Sequence, residues 1–206
     1  MRRYPPGATG LCTSRDMILQ RTFHLTLGSA PDQALNLLRS MLEDTRVTTL
    51  QHIARISSEQ LHWQYQPGWN TVGALLAHLT ALEHYFRIVY VEGRALTDAE
   101  NQHWLPALDL GVHVPQLITG QDLASYQAGL AESRHQLLAA LEGVSEEQLT
   151  RRIEDYDPVH GCNLAWVLFH LAEDEIYHRG QISLLLKLQR AHNETGTLPL
   201  TPQSKL

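Results

Sequence analysis

Residues 166–186 read WVLFHLAEDEIYHRGQISLLL. They lie in a predicted helix that begins at Asn163, ends near Ala191 and is richer in apolar residues than the other helices predicted for this chain. Steps of three or four residues put one set of side chains on a single face, because an α-helix turns once every 3.6 residues. That face carries Leu164, Val167, Leu171, Asp174, His178, Ile182 and Leu185. Two of these positions are ionisable although the stripe as a whole predicts burial in a core.

Three amphipathic helices are predicted upstream of this one. Apolar residues recur at helical spacing in each, and turn or capping residues mark the ends. The predicted ranges are 29–56, with Ser29 as cap; 70–92, with Asn70 or Thr71 as cap and Gly93 as stop; and 121–142, between Gly120 and Gly143. No segment alternates with the period of two that marks a β-strand. The predicted fold class is therefore all-α, a four-helix bundle.

An internal repeat relates the two halves of the chain. Residues 76–85 read LAHLTALEHY and residues 168–177 read LFHLAEDEIY, so that His and Glu recur at the same offsets. Upstream, SSEQL at 57–61 matches SEEQL at 145–149. Convergence of two amphipathic helices accounts for shared leucine spacing alone. The shared polar residues favour a duplicated helix pair with approximate two-fold symmetry.

The composition limits the class of protein. The chain has 206 residues, which suits one domain, and a net charge of −6, which argues against nucleic acid as a partner. No apolar run has the length of a membrane span. Two cysteines exclude a disulfide framework and a thiolate metal site. We expect a loose extension over 1–28, the bundle over 29–192, a flexible tail over 193–206, a cytoplasmic location, and a homodimer as the commonest oligomer.

Histidine is the unusual residue, with 12 copies, and it is the commonest metal ligand. Asp174 and His178 are four residues apart, so their side chains start about 5–6 Å apart on one helix face and can reach a single divalent ion. His78 is the inward ionisable residue of the second predicted helix and would supply a third ligand. Three protein ligands leave one position open for water or substrate, which is typical of a reactive site.

Plainer interpretations exist for each of these residues. A lone inward histidine is more often a hydrogen-bonded core residue, and an aspartate four residues before a histidine can form a simple ion pair. Taken together on facing helices, the metal site is favoured. His170, one turn before Asp174, is a ligand, an outer base or a surface residue. A ferritin-like di-iron centre would use Glu-x-x-His pairs, and it ranks lower because further inward carboxylates are missing; the pairs stand at 59/62, 100/103, 132/135 and 175/178.

The connection over 94–120 is long for a helical bundle. It is either a plain crossover between the second and third helices or a cover for a pocket, since it holds His103, Trp104 and His113. The chain has no Gly-x-Ser-x-Gly motif, phosphate loop or dinucleotide fingerprint, so no nucleophile is assigned.

The segment 166–186, together with NTVGALLAHLTALEHYF at 70–86, resembles the DinB/YfiT-like superfamily over about residues 30–190. The run YHRGQ at 177–181 is the most specific part. The resemblance implies an up-down-down-up bundle and a divalent metal held by three histidines, which fall on His78, position 174 and His178. Asp174 departs from that pattern. A carboxylate is an acceptable ligand for zinc, nickel or manganese, but the departure also allows a weakened or lost metal.

The resemblance implies a metal-dependent enzyme, because some relatives are similar to transferases that attach small thiols to electrophiles, and others to hydrolases. The metal would lower the pKa of a bound thiol or water. The expected residues fall into three groups: metal ligands His78, Asp174 and His178; outer or proton-transfer residues His170, Glu83 and Glu175; and pocket residues Tyr177, Trp69 and Trp104. The alternative is a non-catalytic, stress-related or interaction protein, a dimeric bundle with weak or no metal.

Overall fold

The computed structural model describes residues 32–111, 120–153 and 161–196, and this part of the chain is mostly helical, as predicted. The helices are α1 Gln33–Ile53, α2 Ser58–His62, α3 Val72–Phe86, α4 Asp98–Leu108, α5 Leu123–Ala140, α6 Glu146–Thr150 and α7 Leu164–Thr195. A π-helical turn, Arg87–Val91, continues α3. The predicted extension over 1–28, the Ser29 cap, His113 and residues 197–206 lie outside the described residues. None of the described helices combines the length and the apolar composition needed to cross a membrane.

Capping side chains begin three of the long helices. Thr71 accepts a hydrogen bond from the backbone N–H of Ala74, so Thr71 rather than Asn70 caps α3. Asp122 caps α5, and Asn163 caps α7 as the sequence predicts. These oxygens satisfy backbone donors that have no partner inside the helix. The last helix ends at Gly196, whose φ of 68° is left-handed, so α7 continues four residues beyond the predicted end near Ala191.

The two short matched segments, 57–61 and 145–149, fold alike. Ser57 and Gln60 form a reciprocal capping box at α2, and Ser145 and Gln148 form the same box at α6. The sequence match between these two segments did not predict that either of them forms a helix. Behind α6 the chain adds a two-residue antiparallel pair, Arg152–Ile153 with Cys162–Asn163, although no sheet was expected.

The long connection between α3 and α5 contains a helix that sequence analysis did not predict. Thr97 caps α4 and forms a capping box with Glu100, a Thr-x-x-Glu signature that is visible in the sequence. Helix α4 packs against α3. Part of the crossover therefore lies on the helix that carries His78.

Four buried charged side chains form a layer across the middle of the protein. Arg46 of α1 contacts Glu83 at 3.1 Å and Glu175 at 3.0 Å, and Arg134 of α5 contacts Glu175 at 3.0 Å and Glu83 at 2.6 Å. Ser133 donates a further hydrogen bond to Glu83. Burial disfavours the charged forms, but the partners outweigh it, so the pKa of Arg46 is raised and the pKa of Glu83 is lowered.

This charged layer separates two apolar clusters of the described residues. Each of the four long helices contributes leucine, isoleucine or phenylalanine on both sides of its own charged residue. One cluster includes Ile53, Leu79, Leu130 and Ile182, and the other includes Leu42, Phe86, Leu137 and Leu171. Removing one partner of a buried ion pair is costly because the other charge is left uncompensated, so this layer favours the observed pairing of the four long helices.

Candidate metal centre

Three ligating side chains from two helices converge beside the charged layer. His78 comes from α3, and Asp174 and His178 come from consecutive turns of α7. One ligand atom of each lies within 4.8 Å of the others. The two imidazole rings meet edge to face with centroids 4.9 Å apart. Both histidines are buried and the Asp174 side chain is 16% exposed, so the group opens only slightly to solvent.

The orientation of His78 is fixed by the crossover. Its Nδ1 lies 2.9 Å from the backbone carbonyl oxygen of Ala107, at the end of α4. A carbonyl only accepts, so Nδ1 carries the proton and donates it. The lone pair of the neutral ring is then on Nε2, the nitrogen that faces Asp174. This arrangement, an outer nitrogen held by an acceptor and an inner nitrogen free to ligate, is the one that metal-binding histidines adopt.

His178 is held in the same way by its own helix. Its Nδ1 lies 3.0 Å from Oε1 of Gln181, one turn later, and its Nε2 lies 3.3 Å from Oδ1 of Asp174. The other carboxylate oxygen, Oδ2 of Asp174, is buried without a hydrogen bond and lies 3.7 Å from Nε2 of His78. A buried carboxylate oxygen without a donor costs free energy, and a cation between it and the two imidazoles would remove that cost.

The two histidines shift their pKa values in opposite directions. Burial lowers the pKa of His78, and the nearby Asp174 charge does not make up for it. Burial acts in the same sense on His178, but its hydrogen bond to Asp174 outweighs burial and raises the pKa. His78 therefore gives up its proton more readily than His178, and a cation would compete with a proton mainly at His178.

The expected outer residues are held by partners other than the three candidate ligands. Glu83 and Glu175 belong to the charged layer, where arginines hold them. His170 stacks on Trp166 with centroids 4.8 Å apart, and its Nδ1 faces Glu173 at 3.3 Å. The structure thus brings together His78, Asp174 and His178 but places the other three candidates in different surroundings.

A cavity of about 490 Å³ lies one helical turn from the three ligands. Two of the expected pocket residues, Trp69 and Tyr177, line it. The third, Trp104, instead stacks on His84 with centroids 4.3 Å apart on the face of α3 that α4 covers. Gln181 links the cavity to the site, since it lines the cavity and accepts a hydrogen bond from Nδ1 of His178.

The glutamates of the four Glu-x-x-His pairs are held by other partners. Glu59 accepts from Gln189, Glu100 pairs with Arg94, and Glu132 accepts from Gln136. Glu175 lies in the charged layer. Within the described ranges, the side chains grouped closely enough to hold an ion are those at 78, 174 and 178. This arrangement favours a mononuclear site over a di-iron one.

Sequence reasoning missed two groups that orient the ligands. The Ala107 carbonyl has no sequence signature, since every residue carries one. Gln181 stands three residues after His178, within hydrogen-bonding reach on a helix, and that spacing was an available signal.

Comparison with known proteins supplies the family. A search of curated proteins finds no match. The family model of the DinB superfamily matches residues 41–182, a range that includes His78, Asp174 and His178. This match spans more than half of the chain and runs from α1 into α7. The chain belongs to the DinB superfamily.

Proposed function

We propose that this protein is a metal-dependent enzyme that uses one divalent ion, held by His78, Asp174 and His178, with a further coordination position open to a reactant. The observation that carries the proposal is the buried Oδ2 of Asp174, which has no hydrogen bond and faces the Nε2 atom of His78. Two nitrogens and one oxygen suit zinc, nickel or manganese.

The reaction we propose is transfer of a small thiol to an electrophile, with hydrolysis as the related alternative. The bound ion would lower the pKa of a thiol or water and so supply a nucleophile near neutral pH. The thiol loses its proton, a C–S bond forms, and the bond from carbon to the leaving group breaks. Ala107 and Gln181 keep the imidazoles oriented throughout, and the adjoining cavity offers room for a reactant.

The scaffold we propose is an up-down-down-up four-helix bundle built from α1, α3, α5 and α7. Contacts between α1 and α7 advance in step, from Thr45 with Arg179 to His52 with Ser183, as in parallel helices. Contacts between α3 and α7 run in opposite order, from His78 with His178 to Phe86 with His170, as in antiparallel helices. This order supports the proposed topology and the duplicated helix pair.

A homodimer forms part of the proposal. Phe169 and Ile176 lie seven residues apart on α7 and are 42% and 50% exposed. Exposed apolar side chains that share one helix face favour association with another surface. Sedimentation equilibrium of the full chain tests this part separately from the enzyme activity.

The test of the enzymatic proposal combines a thiol-transfer assay with zinc, nickel or manganese loading. Small thiols are supplied with 1-chloro-2,4-dinitrobenzene, so that C–S bond formation releases chloride and is followed by absorbance. Turnover should require the metal and disappear in His178→Ala, while His135→Ala, an exposed histidine on α5, keeps it. Equal turnover in His178→Ala and the unmodified protein would reject the proposal.

A non-catalytic protein is the second candidate, and one observation favours it. Both ring nitrogens of His178 have protein partners, Gln181 and Asp174, so this imidazole is satisfied as an ion pair. In that case chelation leaves the melting temperature unchanged. A metal that binds only the folded chain raises it by mass action.

A further inference from the structure

The cavity beside the ligands lies close enough to hold a reactant. Leu75 lines it three residues before His78 on α3, and Gln181 lines it three residues after His178 on α7. Three residues rise about 4.5 Å along a helix. Its volume, about 490 Å³, falls in the range of small-molecule sites.

The lining of the cavity favours a neutral ligand over a charged one. Among the described residues, those that line the cavity carry no formal charge, and its walls include Trp69, Tyr177 and Leu184. Trp69 is kept in place by Tyr65, with ring centroids 4.6 Å apart. Such walls favour a neutral molecule with an aromatic or alkyl body. A polar, charged thiol suits them poorly, so the cavity suits the second reactant.

Gln181 supplies the polar contact. Its Oε1 must face Nδ1 of His178, because that nitrogen carries a proton when Nε2 ligates. The amide nitrogen then points away from His178. It donates to no acceptor within the described chain, and it is not among the buried unpaired atoms, so it remains accessible. A ligand in the cavity can offer an acceptor to this N–H.

We propose that the cavity binds the electrophilic or hydrolysable substrate as a neutral molecule with an apolar body and a carbonyl-type oxygen, which accepts a hydrogen bond from Gln181 Nε2. Gln181 then determines specificity for the substrate and orients His178 at the same time. The role of this ligand as a substrate rests on the proposed function. Its binding does not, since no lining residue is a metal ligand.

Two probes of equal shape test the hydrogen bond. 2-Acetylnaphthalene carries a carbonyl oxygen, and 2-isopropenylnaphthalene carries a CH₂ group in its place. Calorimetric titration of the full chain, with chelator and then with zinc, measures both affinities. Gln181→Glu keeps an acceptor for His178 Nδ1 but removes the amide donor, so ketone binding should weaken about tenfold and alkene binding less than twofold.

Further variants locate the binding site. Leu184→Trp narrows the cavity and should weaken both probes by more than tenfold, whereas His135→Ala, an exposed position on α5 outside the cavity, should change neither. If Gln181→Glu proves poorly folded, Gln181→Met takes its place. Methionine has no amide donor and no amide acceptor, so this variant should lose the same ketone selectivity. Absence of ketone binding, equal weakening of both probes by Gln181→Glu, or binding unchanged by Leu184→Trp would overturn the proposal.

The outcomes for zinc and for the probes are separable. Ketone binding with this selectivity in a protein that takes up no zinc, nickel or manganese would support the cavity and refute the metal-dependent enzyme. Zinc uptake without ketone binding would refute the cavity assignment alone.

Discussion

Helices α3 and α7 contact each other at two places that the sequence repeat relates, and the side chains at these two places differ. At one end His78 faces His178, with ring centroids 4.9 Å apart. At the other, His170, the repeat partner of His78, faces Phe86, with centroids 5.9 Å apart. Phe86 stands at the position that matches His178, and Leu82 at the position that matches Asp174. Two side chains therefore distinguish a candidate metal centre from an aromatic contact.

The residues that position the helices differ from the residues that form the candidate metal centre. Both halves contribute one arginine and one glutamate to the charged layer, and both carry the same capping box before the second helix of the pair. These shared residues position the helices at both ends. Among the described residues, the three candidate ligands lie at one end, where the crossover also supplies the Ala107 carbonyl.

The largest effect is expected when the shared layer is broken. Arg134→Met leaves Glu83 and Glu175 each short of one buried partner, and should lower the free energy of unfolding by about 3–5 kcal/mol. Arg46→Met should cost a similar amount, because the repeat gives it the matching role. Urea denaturation measures both. As a control, Arg94→Met breaks an exposed ion pair and should leave the urea midpoint almost unchanged. A loss below about 1 kcal/mol for Arg134→Met would show that the layer does not hold the helices.

A second site can be built at the other end. The double variant Leu82→Asp with Phe86→His places the ligand types of positions 174 and 178 opposite His170. It should cost about 2–4 kcal/mol without metal, since Phe86 is buried. Zinc titration should then reach two equivalents per chain in place of one. Adding His170→Ala should remove the second equivalent only. A stoichiometry unchanged at one would mean that the two ends differ in more than their side chains.

Proton competition should appear only at the His78 end. Asp174 raises the pKa of His178, so their pairing stabilises the metal-free fold below the unfolded pKa of histidine, about 6.5, and that stabilisation is lost as the pH rises through the higher folded pKa. Zinc affinity should instead increase with pH, by up to about tenfold per pH unit, because zinc displaces one proton when it binds. Zinc titrations at several pH values, from about one unit below 6.5 to about one and a half units above it, measure this dependence. Zinc affinity independent of pH would contradict this assignment of the proton.

The smallest effect concerns a glycine close to the site. A Cβ added at Gly180 meets no atom within 4 Å, so Gly180→Ala should stabilise α7 by about 0.5–1 kcal/mol through helix propensity alone. A higher melting temperature with unchanged zinc affinity is expected. A lower melting temperature would show that Gly180 has a packing role.

Much of this arrangement could be predicted from sequence because it is local. Thr71 and Asn163 cap helices through their own side chains, and the stripe of α7 follows directly from helical period. The repeat was visible for the same reason. The stripe of the first helix passes from Leu42 to Leu50, and Arg46 occupies the missing position. That gap was a signal for the buried charge, but only tertiary structure shows its partners.

Other features depend on contacts between distant segments. The position of α4, and with it the carbonyl of Ala107 on His78, is set by packing against α3. Trp104 was expected at the pocket because it lies in the crossover, yet it stacks on His84. A sequence pattern gives the face of each helix, but not which face of the crossover packs against α3.

Zinc binding by untagged protein tests most directly whether His78, Asp174 and His178 hold a metal ion. Competitive titration against a chelator measures its stoichiometry and affinity in a matched pair of variants. The unmodified chain should bind one equivalent. His78→Ala should weaken binding by more than roughly 100-fold, since it removes one of three protein ligands, while its repeat partner variant His170→Ala should bind one equivalent with unchanged affinity. Equal affinities in His78→Ala and His170→Ala, or no zinc bound by the unmodified chain, would contradict the account.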